Sequence, residues 1–445
     1  MKKKLVILGG GESGVGAAIL GQQQRYKVQL MDESSLKDGY RIELKEAGID
    51  FIEKSIDEQQ LLDADEVVKS PGIPETNVWV KKIREKGIPV ISEIELACRH
   101  KGASKIIAIT GSNGKSTTTA LTYHICKTGG LDCALVGNIG YSFARQVAID
   151  PKAVYVAEIS SFQLDDIVEF APDVAVLLNI TEDHLDRYEY KFENYIRSKF
   201  RITMNQNSEQ HFIYNLDDKV IQKYLKEIPI KSNQLPISMK QKVDKGAYIK
   251  DDELHVRVNR EEQSMSIYDF ALKGKHNQFN TMAACVAGAT MDIRKNKIRE
   301  AVQTFENLEH RMEYVATVRG VEFINDSKAT NVNSSWFALE SMSKPTILIL
   351  GGVDKGNDYT LIADLVKEKV KSIVCLGIDN EKIHNAFGEF VNIVDTASAE
   401  DAVKASYQLA APGDVVLLSP ACASFDLFKN YEDRGKQFKE AVKDL

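Results

Sequence analysis

Short apolar runs alternate with stretches of helical spacing along almost the whole chain. That alternation predicts an α/β protein with largely parallel sheets, because each strand–helix–strand unit lays its next strand beside the last in the same direction. The first run, KLVIL, leads into clustered glycines, a helical pattern and a second strand ending at Asp32. EVVKSPGIP and a short IPVIS strand follow, and ISEIELACRH predicts a helix leading away, which places a boundary near Ser92. A second segment begins with KIIAIT (105–110) and continues through AVYVAEIS and DVAVLLNIT. Between about 212 and 270 the runs shorten to strands such as AYIKDDELHVRV, predicting an antiparallel patch. GKHNQFNTMAACVAGATMDI restores a helix rich in small residues. From about Leu308, VEFINDS, TILILGG, SIVCLG, VNIVD and DVVLLSPA alternate with helical stretches as a further α/β unit. Three domains are therefore expected, 1–93, 94–307 and 308–445.

Composition narrows the class. A chain of 445 residues exceeds one hydrophobic core, and 43% hydrophobic with 27% charged residues is ordinary for a globular protein. A net charge of −7 and a pI near 5.8 argue against a nucleic-acid or anionic-membrane surface. Lys2, Lys3 and Lys4 before LVIL mimic a secretory start, but Glu12 and the run Gln22, Gln23, Gln24, Arg25 break the apolar stretch. No run is long enough to cross a bilayer, so membrane insertion is not expected. Six scattered cysteines without a CxxC pair read as reduced thiols of a cytosolic protein.

Two glycine loops carry the chemistry. Gly9, Gly11 and Gly14 fit G-x-G-x-x-G, with Asp32 following by 18 residues, which by rule is a dinucleotide-binding fingerprint. In KIIAITGSNGKSTTTALTYHICKTGG, a strand ending at Thr110 meets a glycine loop and a helix starting around Lys115. Glycines let backbone N–H groups turn onto phosphate oxygens, and the helix N-terminus adds partial positive charge. Lys115 can reach the outer phosphates and Ser116 can ligate Mg²⁺. Ile109 stands where the full pattern wants glycine, but the core G-x-x-G-K-S-T remains. Two apolar strands end in further metal chemistry: AVYVAEISSFQL delivers Glu158, and LLNITEDHLDRY delivers Asp183 and His184. The fold expected is Rossmann-like at the N-terminus, P-loop ATPase-like with a small antiparallel patch in the centre, and Rossmann-like at the C-terminus.

TGSNGKST, GNIG (137–140), EISSFQL (158–164), NITEDHLDRY (179–188), GKHNQFN (274–280), HRME (310–313), INDSKATN (324–331) and SPACASFDLFKN (419–430) together resemble the Mur ligase family. The resemblance runs through all three segments in order. SPGIP and SPACASFDLFKN favour the D-glutamate-adding branch, and the DNPR motif of the diaminopimelate- or lysine-adding branch is absent. It implies a monomeric cytoplasmic ligase of peptidoglycan precursor synthesis that uses ATP and two Mg²⁺ ions. UDP-N-acetylmuramoyl-L-alanine and D-glutamate would be its substrates, joined through an acyl phosphate and a tetrahedral intermediate.

The residues matching the family pattern are implied to take the following parts. Gly111, Ser112, Asn113, Gly114, Lys115, Ser116 and Thr117 would hold the nucleotide phosphates, and Asn280, Arg311 and Asp326 the rest of the nucleotide. Ser116 and Glu158 would hold the first Mg²⁺ and His184 would help hold the second. Lys199, by spacing alone a surface lysine of the helical FENYIRSKFRI, matches a lysine that the family carbamylates into an anionic oxygen ligand. Lys115, His184 and Lys199 make the catalytic set. Ser13, Asp32, Ser70, Gly72 and Asn138 match the UDP-substrate side, while Lys328, Thr330, Lys355, Ser424 and Phe425 match the D-glutamate pocket. The diphosphate beside Ser13 and Gly14 would then belong to UDP. After the second strand the family carries D-T-R where this chain has Asp32-Glu33-Ser34, and GGVDKGNDY is a longer loop around Lys355 than the family's.

Other readings stay open at the level of sequence. They are a sibling ligase for a different amino acid or a folylpolyglutamate synthetase, an NAD-dependent oxidoreductase built on the first loop, and a non-catalytic ATP-binding module.

Overall fold

The computed structural model describes residues 2–258, 261–306 and 308–445, with Glu261 by its backbone alone. Asn307, the expected last residue of the central domain, lies outside the described residues.

The first sheet has five parallel strands: β1 (Lys4–Leu8), β2 (Lys27–Asp32), β3 (Asp50–Glu53), β4 (Glu66–Lys69) and β5 (Val90–Ile91), in the order β3-β2-β1-β4-β5. The second sheet begins with β6 (Lys105–Thr110), β7 (Cys133–Gly137), β8 (Val154–Glu158), β9 (Val174–Leu177), β10 (His211–Asn215) and β11 (Asn233–Ser238). It ends with β12 (Gly246–Lys250), β13 (Glu253–Val258) and β14 (Glu261–Ser266), in the order β14-β13-β12-β11-β10-β9-β6-β8-β7. The antiparallel patch is narrower than expected. β10, β11 and β12 extend the parallel part, and only the β12–β13 and β13–β14 pairings are antiparallel.

The third sheet holds β15 (Glu313–Val318), β16 (Val321–Asn325), β17 (Thr346–Leu350), β18 (Val370–Leu376), β19 (Asn392–Thr396) and β20 (Val415–Leu418), ordered β15-β16-β20-β17-β18-β19. β15 is an antiparallel edge strand the apolar pattern did not predict. It turns into β16 through Arg319 and Gly320, both at positive φ. A hairpin signature usually advertises itself as Asn-Gly or Asp-Gly, so Arg-Gly gave no warning.

The chain divides by contacts into two compact units, Met1–Ala271 with Asn277–Phe305, and Leu272–His276 with Glu306–Leu445. The first unit contains the first two sheets, and the second unit the third. Strands central to each sheet are apolar on both faces, as parallel strands covered by helices must be: Ile106, Ile107, Ala108 and Ile109 of β6 are all fully buried.

Within the first unit, helix Glu12–Gln23 packs closely on helix Phe143–Ile149. A Cβ at Gly16 would meet Ser142 Oγ at 2.0 Å. Charged groups fasten the two sheets further: Lys69 at the end of β4 pairs with the buried Asp166 at 3.0 Å. All six cysteines are free. Among the described residues no helix is long and apolar enough to cross a membrane.

Candidate active site

The loop between β6 and helix Lys115–Thr128 is built on two glycines that no side chain can replace. Gly114 sits at φ +82, and a Cβ there would meet Asn280 Oδ1 at 2.4 Å. Gly111 sits at φ +154, where a Cβ would meet Leu178 Cβ at 3.1 Å. The loop's conformation is fixed from the end of β9. Ser112 N–H donates to the Asn179 carbonyl at 2.9 Å, and Asn113 N–H to Asn179 Oδ1 at 2.8 Å. Asn179 Nδ2 donates back to the Asn113 carbonyl at 3.0 Å. Ser112 Oγ donates to the Thr181 carbonyl at 2.9 Å, and Thr181 N–H donates back to Ser112 Oγ at 3.0 Å. Asn280 braces the helix, taking the Thr118 hydroxyl at 3.1 Å, so its buried amide supports the loop from the helix behind it.

Two amines close on this loop. Lys115 Nζ donates to the carbonyls of Gly111 and Ser112, both at 2.8 Å. Lys199, from helix Phe192–Phe200, donates to the same Gly111 carbonyl at 2.8 Å and lies 4.5 Å from the Tyr195 ring centre. The sequence spacing put Lys199 on the surface, but it is 1% exposed. Its helix turns Tyr195, Ile196, Ser198 and Phe200 inward as well. Burial, followed by the neighbouring Lys115 charge, holds the Lys199 amine well below its ordinary pKa.

The metal-ligand candidates converge here. Glu158 ends β8, paired in register with Ile109 of β6, and is 1% exposed. Its carboxylate accepts from Asn138 Nδ2 at 3.0 Å, which places the expected substrate residue Asn138 beside the expected metal residue. Ser116 and Thr117 are buried in the first turn of the helix. His184 stands at φ +53 before a short 3₁₀ turn, its ring set edge-on to Phe162 with centroids 5.0 Å apart. Burial pushes its imidazole below the ordinary pKa, Asp183 opposes, and Lys115 and Lys199 reinforce the fall. The Ser116 hydroxyl and the Glu158 carboxylate beside a glycine cradle offer the hard oxygens that Mg²⁺ on a triphosphate prefers, with the His184 imidazole a nitrogen donor close by.

In the first sheet, Gly9 lies at φ +102, where a Cβ would meet Ser70 Oγ at 2.5 Å, and a Cβ at Gly14 would meet the Gly9 carbonyl at 1.8 Å. Asp32 is committed to this turn, accepting Gly10 N–H at 2.6 Å and Ser34 N–H at 2.7 Å. Ser13 lies in the first turn of helix Glu12–Gln23, whose N-cap Gly11 makes no side-chain cap. The first-turn acid Glu12 is paired with Arg145, whose Nε and Nη2 reach it at 2.7 and 3.1 Å, and it also accepts Ser142 N–H at 3.1 Å. Arg145 also pairs with Glu43. A glycine turn leading into a helix N-terminus is the arrangement that suits a diphosphate. Ser70 and Gly72 lie on the SPGIP turn after β4.

The second unit gathers its own group at the ends of β16 and β20. Asp326 is buried, accepts Ser419 Oγ at 2.9 Å and Met312 N–H at 3.2 Å, and is pushed up to about 7 by burial. Arg311 is half-buried and partly offsets that shift. Lys328 places its ammonium 5.2 Å from the Tyr431 ring centre. Thr330 is half-buried and Ser424 buried, whereas Lys355 is exposed and Phe425 is 69% exposed. The acid beside Lys355, Asp354, pairs with Lys382 at 2.8 Å.

One residue that the motifs did not single out organises this end. Arg434, fully buried, donates to the Ser327 hydroxyl at 3.0 Å, the Ser327 carbonyl at 2.8 Å and the Cys422 carbonyl at 3.2 Å. It therefore ties the loop of Lys328 and Thr330 to the loop of Ser424. Its neighbour Gly435 leaves room for buried His310, since a Cβ there would meet His310 Nδ1 at 2.3 Å. Cys375, His384 and Asp395 also gather in this unit, where Asp395 already accepts from His384 at 2.9 Å and Asn380 at 2.9 Å.

Three family models match successive stretches of the chain. Residues 3–92 match the Mur ligase MurD-like N-terminal domain, 109–288 the Mur ligase middle domain and 310–422 the Mur ligase glutamate ligase domain. The chain is 52% identical over 446 residues to the UDP-N-acetylmuramoylalanine–D-glutamate ligase of Christiangramia forsetii, covering 100% of both chains. It is 50% identical over 450 residues to the enzyme of that name from Bacteroides fragilis, again covering 100% of both. Among solved structures, the UDP-N-acetylmuramate–alanine ligase of Thermotoga maritima aligns over 100% of both chains with a TM-score of 0.63 at 15% identity, a likeness of fold.

Proposed function

The chain belongs to the Mur ligase family, and we propose that it joins D-glutamate to UDP-N-acetylmuramoyl-L-alanine at the expense of ATP, in peptidoglycan precursor synthesis. It is an ATP-dependent amino-acid ligase, and Mg²⁺ serves the nucleotide. The observation that carries the chemistry is the meeting of Lys115 and Lys199 on the Gly111 carbonyl, beside Glu158 and His184.

A carboxylate resists amine attack because its charge repels the nucleophile and oxide is a poor leaving group. Transfer of the γ-phosphoryl group to the substrate carboxylate supplies a leaving group, the D-glutamate amine then attacks, and phosphate departs as the amide forms. Phosphoryl transfer between anions needs fixed positive charge. Lys115 provides it from the loop, and Mg²⁺ held by Ser116 and Glu158 would add to it. Two ions are proposed, the second shared by His184 and a carbamylated Lys199. Burial lowers the Lys199 pKa and so favours the unprotonated amine, which would form a C–N bond to CO₂ and lose one proton to give an anionic carbamate, a ligand where an ammonium would repel metal.

Gly111, Ser112, Asn113, Gly114 and Thr117 cradle the phosphates, with Asn280 supporting them and Arg311 and Asp326 assigned to the rest of the nucleotide. Ser13, Asp32, Ser70, Gly72 and Asn138 are assigned to the UDP substrate, Asp32 through the turn it braces. Lys328, Thr330, Ser424, Lys355 and Phe425 are assigned to D-glutamate, whose two carboxylates suit cationic partners. The domains are proposed as 1–93, 94–307 and 308–445, and the protein as a cytoplasmic monomer.

The deciding experiment is phosphate release from ATP across a panel of UDP-sugar peptides and amino acids. Release should require UDP-N-acetylmuramoyl-L-alanine and D-glutamate together. Release with L-alanine and not with D-glutamate would overturn the assignment.

A further inference from the structure

One residue of NITEDHLDRY has no part in the site just described. Arg187 follows His184 by one short turn, its N–H donating to the His184 carbonyl at 2.9 Å. Its guanidinium reaches across to the first sheet and donates to three successive carbonyls of the SPGIP turn. Nη2 bonds Pro71 at 3.1 Å and Ile73 at 3.3 Å, and Nη1 bonds Gly72 at 3.3 Å. Its central carbon lies 4.3 Å from the centre of the Phe162 ring, the ring that also meets His184. Phe162 belongs to the short helix Ser161–Leu164 that follows Glu158. One planar cation thus joins the turn carrying Ser70 and Gly72 to the segments carrying His184 and Glu158.

The geometry has a consequence for ligand binding. In a planar trans peptide the C=O of one residue and the N–H of the next point in opposite directions. Holding the Pro71 carbonyl toward Arg187 turns the Gly72 N–H away from it. Gly72 has open space beside it, with nothing within 4 Å of where a Cβ would stand. The cation behind the peptide also strengthens that N–H as a donor, since a charge-assisted bond to the carbonyl polarises the amide. Only a guanidinium can do all of this, because its fixed fork serves several acceptors in one plane while its face stacks on an aromatic ring.

We infer that Arg187 is a positioning residue, which presents the SPGIP turn to an anionic UDP substrate and fixes that turn at a set distance from the nucleotide and metal site. This rests on the UDP-substrate reading of the first sheet.

The test compares Arg187→Ala, Arg187→Lys and Phe162→Leu with the parent enzyme, full-length, at saturating D-glutamate. Steady-state KM for UDP-N-acetylmuramoyl-L-alanine and for ATP is measured separately. Arg187→Ala should raise KM for the UDP substrate about tenfold or more, while KM for ATP moves less than about twofold. Arg187→Lys should recover part of the loss, because an ammonium can meet the carbonyls without stacking. Phe162→Leu should shift KM in the same direction by less. An unchanged UDP-substrate KM in Arg187→Ala, or an equal rise in both KM values, overturns the proposal. If Arg187→Ala does not fold, the other two variants decide by the same split. Absence of UDP-substrate-dependent ADP formation in the parent enzyme would instead remove the functional reading.

Discussion

The side-chain amines of Lys115 and Lys199 donate to one oxygen, the carbonyl of Gly111, each at 2.8 Å. Burial, and then the neighbouring Lys115 charge, lower the pKa of the fully buried Lys199 well below its ordinary value, which favours its unprotonated form. A neutral amine is the nucleophile that CO₂ requires. Activity should therefore fall on prolonged CO₂ depletion and return with bicarbonate, with a carbamate carbon visible by ¹³C NMR. Lys199→Ala should lose about 100-fold or more of turnover. Indifference to CO₂ together with no such signal would leave Lys199 an amine.

Gly114→Ala would force a side chain into a left-handed conformation and into Asn280 Oδ1 at 2.4 Å. The backbone alone costs about 1–2 kcal/mol. The variant should remain folded with a lowered melting temperature and lose ATP turnover about 100-fold, because the loop's amides shift off the phosphates. A variant with near-parent kcat for ATP would refute the loop's role.

Glu158→Gln keeps the shape and the bond from Asn138 but removes the charge. Titrating Mg²⁺ at fixed ATP should show the half-activating concentration rising about tenfold or more. An unchanged Mg²⁺ curve would exclude Glu158 as a ligand.

Arg434→Ala would strand the carbonyls of Ser327 and Cys422 inside the second unit. Leaving such groups buried and unmet should cost about 3 kcal/mol in urea unfolding. Because Arg434 joins the loops of Lys328 and Ser424, KM for D-glutamate should rise more than KM for ATP. Equal effects on both would make Arg434 structural only.

Glu93 supplies a pH dependence. It is fully buried, accepts Ala144 N–H through one oxygen, has no hydrogen-bond partner among the described residues for the other, and is raised from 4.5 to about 7 by burial. A carboxyl raised by folding favours the folded state while protonated, so its stabilisation is complete below pH 4.5 and is lost as pH climbs to about 7. The span corresponds to about 3 kcal/mol. The melting temperature of the parent should therefore drop relative to Glu93→Gln between pH 5 and 7. Parallel melting curves across that range would show that Glu93 ionises freely.

Local chemistry was legible in the sequence, and long-range chemistry was not. The strand, glycine loop and helix from Lys105 to Thr128 stand where the pattern put them, because glycine conformation and apolar runs act within a few residues. Glu158 was readable too, since a parallel neighbour of β6 must end beside the same loop. Lys199 was misread as a surface residue because a polar side chain on a helix points outward unless a distant acceptor calls it in, and its acceptor is 88 residues away. Asn179, Arg187 and Arg434 likewise act on backbone carbonyls or amides remote in sequence, which no spacing rule reports. The first glycine fingerprint forms the tight strand–turn–helix that its spacing predicted, with Gly9 at φ +102 and Gly14 against the Gly9 carbonyl. Its acid, however, spends both oxygens on Gly10 and Ser34, so the matching Asp32 says little about which sugar follows the phosphate.

The pairing of Glu12 with Arg145 reaches beyond packing. The helix after the first glycine turn, proposed to face the UDP diphosphate, carries an acid in its first turn, and the cation that pairs with it comes from helix Phe143–Ile149 beside the second sheet. Residues 1–92 are thus not a portable cassette: cut from its neighbour, the turn would keep its glycines and lose its polarity. Exchange of such segments between relatives must carry the Glu12–Arg145 pair together, so the two positions are expected to be inherited as one.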